Sequence, residues 1–427
     1  MARPLLAALA LLLCAPATAS AATVTVRPEP GHDKYDEVHY VAGPGEANRV
    51  LVAYVDFDTI TITDPGAVIA ATALCVSVDA HTATCKEGED RSITQTRVEL
   101  GDGDDEVAST RPGPAPLGSI VAFGGPGDDR LDGSAGADEL DGGGGTDTLL
   151  GGDGLDLLVD GDPDAAAGPD VLDGGPHEDE VSYAHRTGPV AVTLDDEAGD
   201  GAPGEGDVLR GVERVSGGAG DDRLTGGAEP TVLEGRGGDD VLVAGSGKGE
   251  SGYTNSLDGG AGDDRLVGSD EADDLQGDGG TDSFTCGHGE DVVREPRRGE
   301  LLGRACNRVE WSINGSDEDL LSFDPRPRSV RGGIAVFRLA CPSLGILDGE
   351  PSRCRGPLTL REQSGGRRLL GRGTVADAGD HDDFDVRVAL TALGRRLAAR
   401  PRGVIASASI QGRGLPARSW TIRLRAG

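Results

Sequence analysis

From Gly124 to Val159 the chain reads GGPGDDRLD, GSAGADELD, GGGGTDTLL and GGDGLDLLV, four nonads in perfect phase. Gly opens each unit, Asp stands at the sixth position and Leu at the eighth, joined in the last two units by a Leu at a neighbouring position. No helix accommodates this glycine content, because each interior Gly costs about 1 kcal/mol relative to Ala. An ordinary core strand does not carry so many carboxylates. The segment requires a structure in which a Gly turn and a buried Leu recur at a fixed step. It also requires something to neutralise the aspartates.

The phase runs well beyond this stretch. Sixth positions in the first block are Asp129, Asp138, Asp147 and Asp156, followed by Leu131, Leu140, Leu149 and Leu158 at the eighth. Two looser units carry Asp170 with Leu172 and Asp179 with Val181. A second block begins at Gly217 and continues to CGHGEDVVR, with sixth positions Asp222, Asp240, Asp264, Asp273, Asp282 and Asp291. LGDGDDEVAS at 100–109 already has the signature through Asp105. Between the blocks, about 183–216, the period breaks, and the composition there suggests one or two longer strands and a Gly-rich excursion from the same solenoid. Gly at positions 1, 2 and 4 permits left-handed backbone in a six-residue turn and lets carbonyls approach a cation. A carboxylate at the sixth position adds hard oxygen, and Ca²⁺ takes six to eight oxygens at about 2.3–2.6 Å.

On these residues the repeats resemble the hemolysin-type calcium-binding repeats of the RTX family. The resemblance covers residues 124–182 and 217–294, about a third of the chain. It implies a parallel β-roll with two nonads per coil, with several Ca²⁺ ions held by the thirteen aspartates named above. It also implies that Asp129 pairs with Asp147, and Asp138 with Asp156, on opposite sides of the roll. In the second block Asp222, Asp240, Asp264 and Asp282 are expected in one column, provided that 244–258 counts as one nonad with an insertion. The other column has Thr231 at a sixth position and recovers only at Asp273 and Asp291, so a gap in the ions is expected there. The bland reading of such a segment is an acidic disordered spacer. The phased Leu and Val residues argue against it while Ca²⁺ is present. Without Ca²⁺ the stacked carboxylates repel, which couples metal binding to folding.

Composition agrees with a fold completed by cations. The formal net charge is −34, aromatics make up 3% of residues and Met occurs once, so a conventional aromatic core is unlikely over most of the length. Residues 1–293 carry a net charge of −43 and residues 294–427 of +9. The basic tail scatters its Arg among acids with no recognition motif, which argues against nucleic-acid binding. Residues 1–21 read as a secretory signal, with Arg3, a short apolar run and the small residues Ala19 to Ala21. That run is too short to span a membrane. Six cysteines remain, Cys75, Cys85, Cys286, Cys306, Cys341 and Cys354, and in an exported chain they imply disulfides, most simply the three local pairs.

The expected fold is therefore all-β: an N-terminal β cap at 22–120, a β-roll at 121–310, a Pro/Gly/Arg linker at 311–332 and a small C-terminal β-sandwich at 333–427. Catalytic motifs are missing. There is no HExxH, since HEDEV at 177–181 lacks the second His, and no G-x-S-x-G. GSGKGES at 245–251 lacks the spacing of a phosphate loop. The sequence thus points to a secreted, non-enzymatic, extracellular calcium-binding protein. Its expected role is structural or adhesive, with a cell-surface or extracellular polymer or protein as possible partner of the C-terminal domain. The alternative is a secreted hydrolase of protease or lipase type with an unrecognised catalytic domain.

Overall fold

The structure is a computed structural model. It describes residues 21–294 apart from 30, 32–34, 57, 89–90, 111–117, 162–167, 248–253 and 290. Beyond 294 it describes chiefly the backbone of strands between 301 and 424. The signal segment, the Cys341–Cys354 pair and the side chains of the C-terminal strands lie outside the described residues. No helix among the described residues is long and apolar enough to cross a membrane.

Two-nonad coils stack into a parallel β-roll. On the first face the strands Ser119–Pro126, Glu139–Gly144, Leu157–Val159, Glu180–Ser182 and Arg214–Ser216 follow one another in parallel. The ladder continues through Val232–Glu234, Asn255–Asp258, Asp273–Gln276 and Val292–Arg294. Register places Leu140 on Leu158, Leu158 on Val181 and Leu257 on Leu275. On the second face Glu106–Thr110, Arg130–Asp132, Thr148–Leu150, Val171–Asp173 and Asp207–Arg210 stack in the same way. Most roll strands are three residues long, so each contributes one inward side chain. Leu131, Leu140, Leu149, Leu158, Leu172, Leu224, Leu233, Leu242, Leu257, Leu266 and Leu275 are all at most 1% exposed.

The second face changes partners inside the irregular segment. Ala198–Asp200 runs antiparallel to Asp207–Arg210, and Ala191 meets Gly201 in an antiparallel bridge. Ala191–Thr193 then starts a new parallel stack with Arg223–Thr225, Val241–Val243, Arg265–Val267 and Ser283–Thr285. The excursion read from the sequence thus supplies strands to the second face instead of only bulging from it.

The N-terminal strands extend both faces. Ala22–Pro28 pairs with Tyr35–Val41, which lies parallel to Ser92–Glu99, which in turn lies parallel to Ser119–Pro126. On the other side Cys75–Ser77, Thr82–Lys86, Thr59–Thr63 and Arg49–Asp56 form an antiparallel sheet that joins Glu106–Thr110 in parallel. One apolar core runs through both parts, from Val24, Val38 and Ile62 to Leu275 and Val293. Cys75 and Cys85 form a disulfide across paired strands, and Cys286 and Cys306 form a second at the last coil.

Past the roll, Arg308–Ile313 lies parallel to Val292–Arg294 and pairs antiparallel with Ser316–Phe323. Part of the stretch read as a linker, 311–332, is therefore a hairpin: Pro325 and Pro327, which suggested a linker, both lie in its second half. The following strands form one antiparallel ladder. Ile334–Ala340 pairs with Phe384–Leu390, then come Leu369–Val375, Gly356–Glu362, Val404–Gly412 and Leu415–Leu424. The layering that a sandwich implies lies outside the described residues.

Candidate calcium-binding turns

Each turn ends in an aspartate whose side chain folds back into the roll. All thirteen sixth-position aspartates expected from the sequence are buried, none more than 4% exposed. They stand in columns, because each carboxylate except that of Asp273 accepts the backbone N–H of the corresponding residue one coil earlier, while Asp273 accepts the Asn255 side-chain amide. On the second face Asn48 donates to Asp105 Oδ1 (2.7 Å), Asp105 to Asp129 (2.8 Å), Asp129 to Asp147 (2.8 Å), Asp147 to Asp170 (2.7 Å) and Asp170 to Asp207 (3.0 Å). On the first face Ile120 donates to Asp138 (2.6 Å), Asp138 to Asp156 (2.8 Å), Asp156 to Asp179 (2.8 Å) and Asp179 to Glu213 (3.1 Å). Beyond the excursion Val190 donates to Asp222 (2.8 Å), Asp222 to Asp240 (2.7 Å), Asp240 to Asp264 (2.8 Å) and Asp264 to Asp282 (2.9 Å).

One oxygen of each of these paired carboxylates is therefore committed to the backbone. The other oxygen, Oδ2, of Asp105, Asp129, Asp147, Asp156, Asp179, Asp240 and Asp264 is buried with no hydrogen-bond partner among the described residues. Burial of an unpaired charged oxygen is unfavourable unless a cation meets it. The same burial, reinforced by neighbouring carboxylates, pushes Asp129, Asp156 and Asp240 up to about 7 and Asp170 to about 8. Burial also raises Asp138, Asp147 and Asp264 to about 6.

Glycine acts here in two ways. At the first position it makes room for the carboxylate: a Cβ on Gly142 would lie 2.5 Å from Asp147 Oδ2, and one on Gly133 2.6 Å from Asp138 Oδ2. Neither residue has positive φ, so the left-handed backbone expected at all three glycines belongs to positions 2 and 4. Gly125, for example, has φ +98°, and a Cβ there would collide with the Gly101 carbonyl oxygen one coil earlier. The turns thus juxtapose buried carboxylate oxygens and closely stacked backbone carbonyls, the all-oxygen donor set that calcium takes. The residues fit the ion.

A family model for the RTX calcium-binding nonapeptide repeat matches residues 123–158, 210–229, 216–249 and 251–292 in four copies. The matched stretches, between 123 and 158 and between 210 and 292, carry RTX calcium-binding nonapeptide repeats. No curated protein matches the chain significantly. Among solved structures the chain is similar to the extracellular lipase LipA from Serratia marcescens, at 19% identity and a TM-score of 0.20. The match covers 51% of this chain and 40% of that one, so the chain spans well under half of the lipase's length.

Four members of the RTX columns escape the sequence period. Asp207 and Glu213 close the first-block columns from within the irregular segment. Asn48 opens the second-face column, with its own amide oxygen held by the Tyr40 hydroxyl at 3.0 Å. Asn255 is the sixth residue of the irregular nonad, below Thr231. Thr231 N donates to Asn255 Oδ1 (2.9 Å), and Asn255 Nδ2 donates to Asp273 Oδ1 (2.7 Å) and to the Gly245 carbonyl (3.2 Å). Two neutral side chains therefore satisfy each other where the rest of the first face has carboxylates.

The two faces also differ at the fifth position. On the second face a row of exposed aspartates repeats the pattern outside the buried one. Asp128 N donates to Asp104 Oδ1 (3.1 Å), Asp239 N to Asp221 (2.8 Å) and Asp263 N to Asp239 (2.8 Å). The first face has Ala137, Leu155 and Ala272 at this position, with Glu178 as an acidic exception, and the second-face row is interrupted at Thr146 and Pro169.

Proposed function

We propose that the chain is a secreted, non-enzymatic protein whose RTX roll is folded and stiffened by several Ca²⁺ ions. Its role is structural or adhesive, with the roll as a rod that presents the C-terminal strands to an extracellular polymer or protein. The observation that carries this reading is the set of buried, unpartnered Oδ2 atoms along the carboxylate columns. The chain's own residues hold and orient these oxygens: backbone N–H groups fix one carboxylate oxygen, and first-position glycines leave room for the other. Bound Ca²⁺ supplies the positive charge that lets stacked carboxylates remain ionised.

Circular dichroism of the full chain during Ca²⁺ titration tests the reading. An extracellular module needs only a Kd of roughly 10⁻⁴–10⁻³ M. At about 100 Kd each independent site then adds about 2.7 kcal/mol. The β signal should grow with Ca²⁺ and fall with chelator, and a spectrum indifferent to both would overturn the calcium role. Turnover of peptide or ester substrates by the Ca²⁺-loaded chain would overturn the non-enzymatic reading.

A further inference from the structure

We propose that the roll holds a divalent-cation site of a second kind, formed by Asp160, Glu205 and Asp207 beside Arg186, where the excursion rejoins the second face. One oxygen from each of the three carboxylates lies within 4.8 Å of the others. The site rests on different chemistry from the repeat turns. Asp160 follows the strand Leu157–Val159 directly and occupies a first position, where the regular turns place Gly. Glu205 and Asp207 come from the returning arm of the excursion, more than forty residues later.

The partners of these groups account for all but one oxygen. Arg186 donates from one terminal nitrogen to Asp160 Oδ1 (2.6 Å) and to Glu205 Oε1 (2.8 Å). Glu205 Oε2 accepts the Ala202 amide (2.6 Å). Asp207 Oδ1 accepts the Asp170 amide (3.0 Å) and Oδ2 the Tyr183 hydroxyl (3.1 Å). Asp160 Oδ2 is buried and has no hydrogen bond among the described residues, although the Asp160 side chain is 0% exposed. A buried carboxylate oxygen without a partner points to a ligand. The charge agrees: three carboxylates against one guanidinium leave two negative charges, the complement of one divalent ion. The hard oxygen donors select Ca²⁺ or a similar ion over a soft metal. An ion there ties Asp160 of one coil to Glu205 and Asp207 of the next and holds the excursion against the roll, where the second face changes partners.

The inference presupposes the calcium-loaded roll of the proposed function, and the test separates the two. Equilibrium dialysis counts Ca²⁺ bound per full-length chain for the wild type, Asp160→Asn and Glu205→Gln, with circular dichroism at saturating Ca²⁺ to establish folding. Each folded variant should bind one ion fewer than the wild type. Tb³⁺ provides a second readout that does not depend on these variants, because the Tyr183 phenol contacts Asp207 directly and sensitises an ion at that site. Tyr183→Phe should lower tyrosine-excited Tb³⁺ emission from the wild-type level toward the background set by the other tyrosines and Trp residues. Equal ion counts in a folded variant, or undiminished emission in Tyr183→Phe, would mean that Arg186 alone neutralises the cluster and would overturn the inference. A wild type that binds no Ca²⁺ at all would overturn the proposed function instead.

Discussion

The Asp129 amide donates to Asp147 Oδ1 at 2.8 Å, and Asp147 in turn donates its own amide to Asp170 Oδ1 at 2.7 Å. Each sixth-position residue is thus both acceptor and donor in a chain that runs along the roll. In the folded roll the backbone fixes one oxygen of each of these carboxylates, and loss of one affects the coil before it and the ions beside it.

Asp240 is the sharpest case, since it accepts from Asp222 and donates to Asp264. Asp240→Ala should lower the number of bound Ca²⁺ ions and raise the midpoint of calcium-induced folding. Thr231→Val should leave the ion count unchanged, and lose only the hydroxyl contacts to Asn255 Oδ1 (3.3 Å) and the Gly245 amide (3.4 Å). Its stability should fall by about 1 kcal/mol. Isothermal titration and denaturant melts of the two variants check this pair.

The column carboxylates predict an unusual pH dependence. Their folded pKa values lie above the unfolded value of about 3.9, at about 7 for Asp129, Asp156 and Asp240. Such groups favour the fold below the unfolded pKa, and that contribution is lost as pH rises through about 6–8. In chelator the denaturation midpoint should therefore be higher at pH 5 than at pH 8. In saturating Ca²⁺ the decline should disappear, and ion binding should release protons near neutral pH. A chelated protein that gains stability from pH 5 to 8 would contradict the column environment.

Gly142→Ala should be damaging, because its Cβ would meet Asp147 Oδ2 at 2.5 Å. Forcing an atom into such a site costs about 1–3 kcal/mol, and Ca²⁺ affinity should fall with it. Gly188→Ala is the control, with no atom within 4 Å of its Cβ. Calcium-dependent melting curves of the two variants should separate clearly.

The Cys286–Cys306 disulfide closes the last coil, at the start of the final clear nonad. Replacing both cysteines with Ser should lower the stability of the Ca²⁺-loaded chain by about 2–4 kcal/mol. Hydrogen exchange should show the loss concentrated in the strands Ser283–Thr285 and Val292–Arg294 rather than at the N-terminal end.

The regular nonads made much of this arrangement legible. A Leu or Val at every eighth position and an Asp at every sixth fix which residues face inward and which turns stack, so the columns 129–147 and 222–240–264–282 follow from the period. Where residues are inserted the phase is hidden. Asp207 follows an excursion, Glu213 substitutes a longer acid, and Asn255 lies in the unit 244–258, which is six residues longer than a nonad, so none is reached by counting nine. The Asp160 cluster depends on three segments meeting in space, which no local spacing encodes. The first-position glycine was visible but its reason was not, because the collision it avoids is with a carboxylate five residues later in its own turn.

The exposed aspartates beside the second-face columns give the roll a physical property of its own. Asp221, Asp239 and Asp263 follow one another at successive strands, about 4.8 Å apart by the spacing of paired strands. Two unit charges in water interact with thermal energy at roughly 7 Å. The flank is therefore a line of charge dense enough to behave as a polyelectrolyte, gathering a sheath of counterions in addition to any ion bound inside the turns. Sodium and potassium compete for that sheath, so the stiffness of this flank is set by the ionic composition of the surrounding fluid as well as by its calcium.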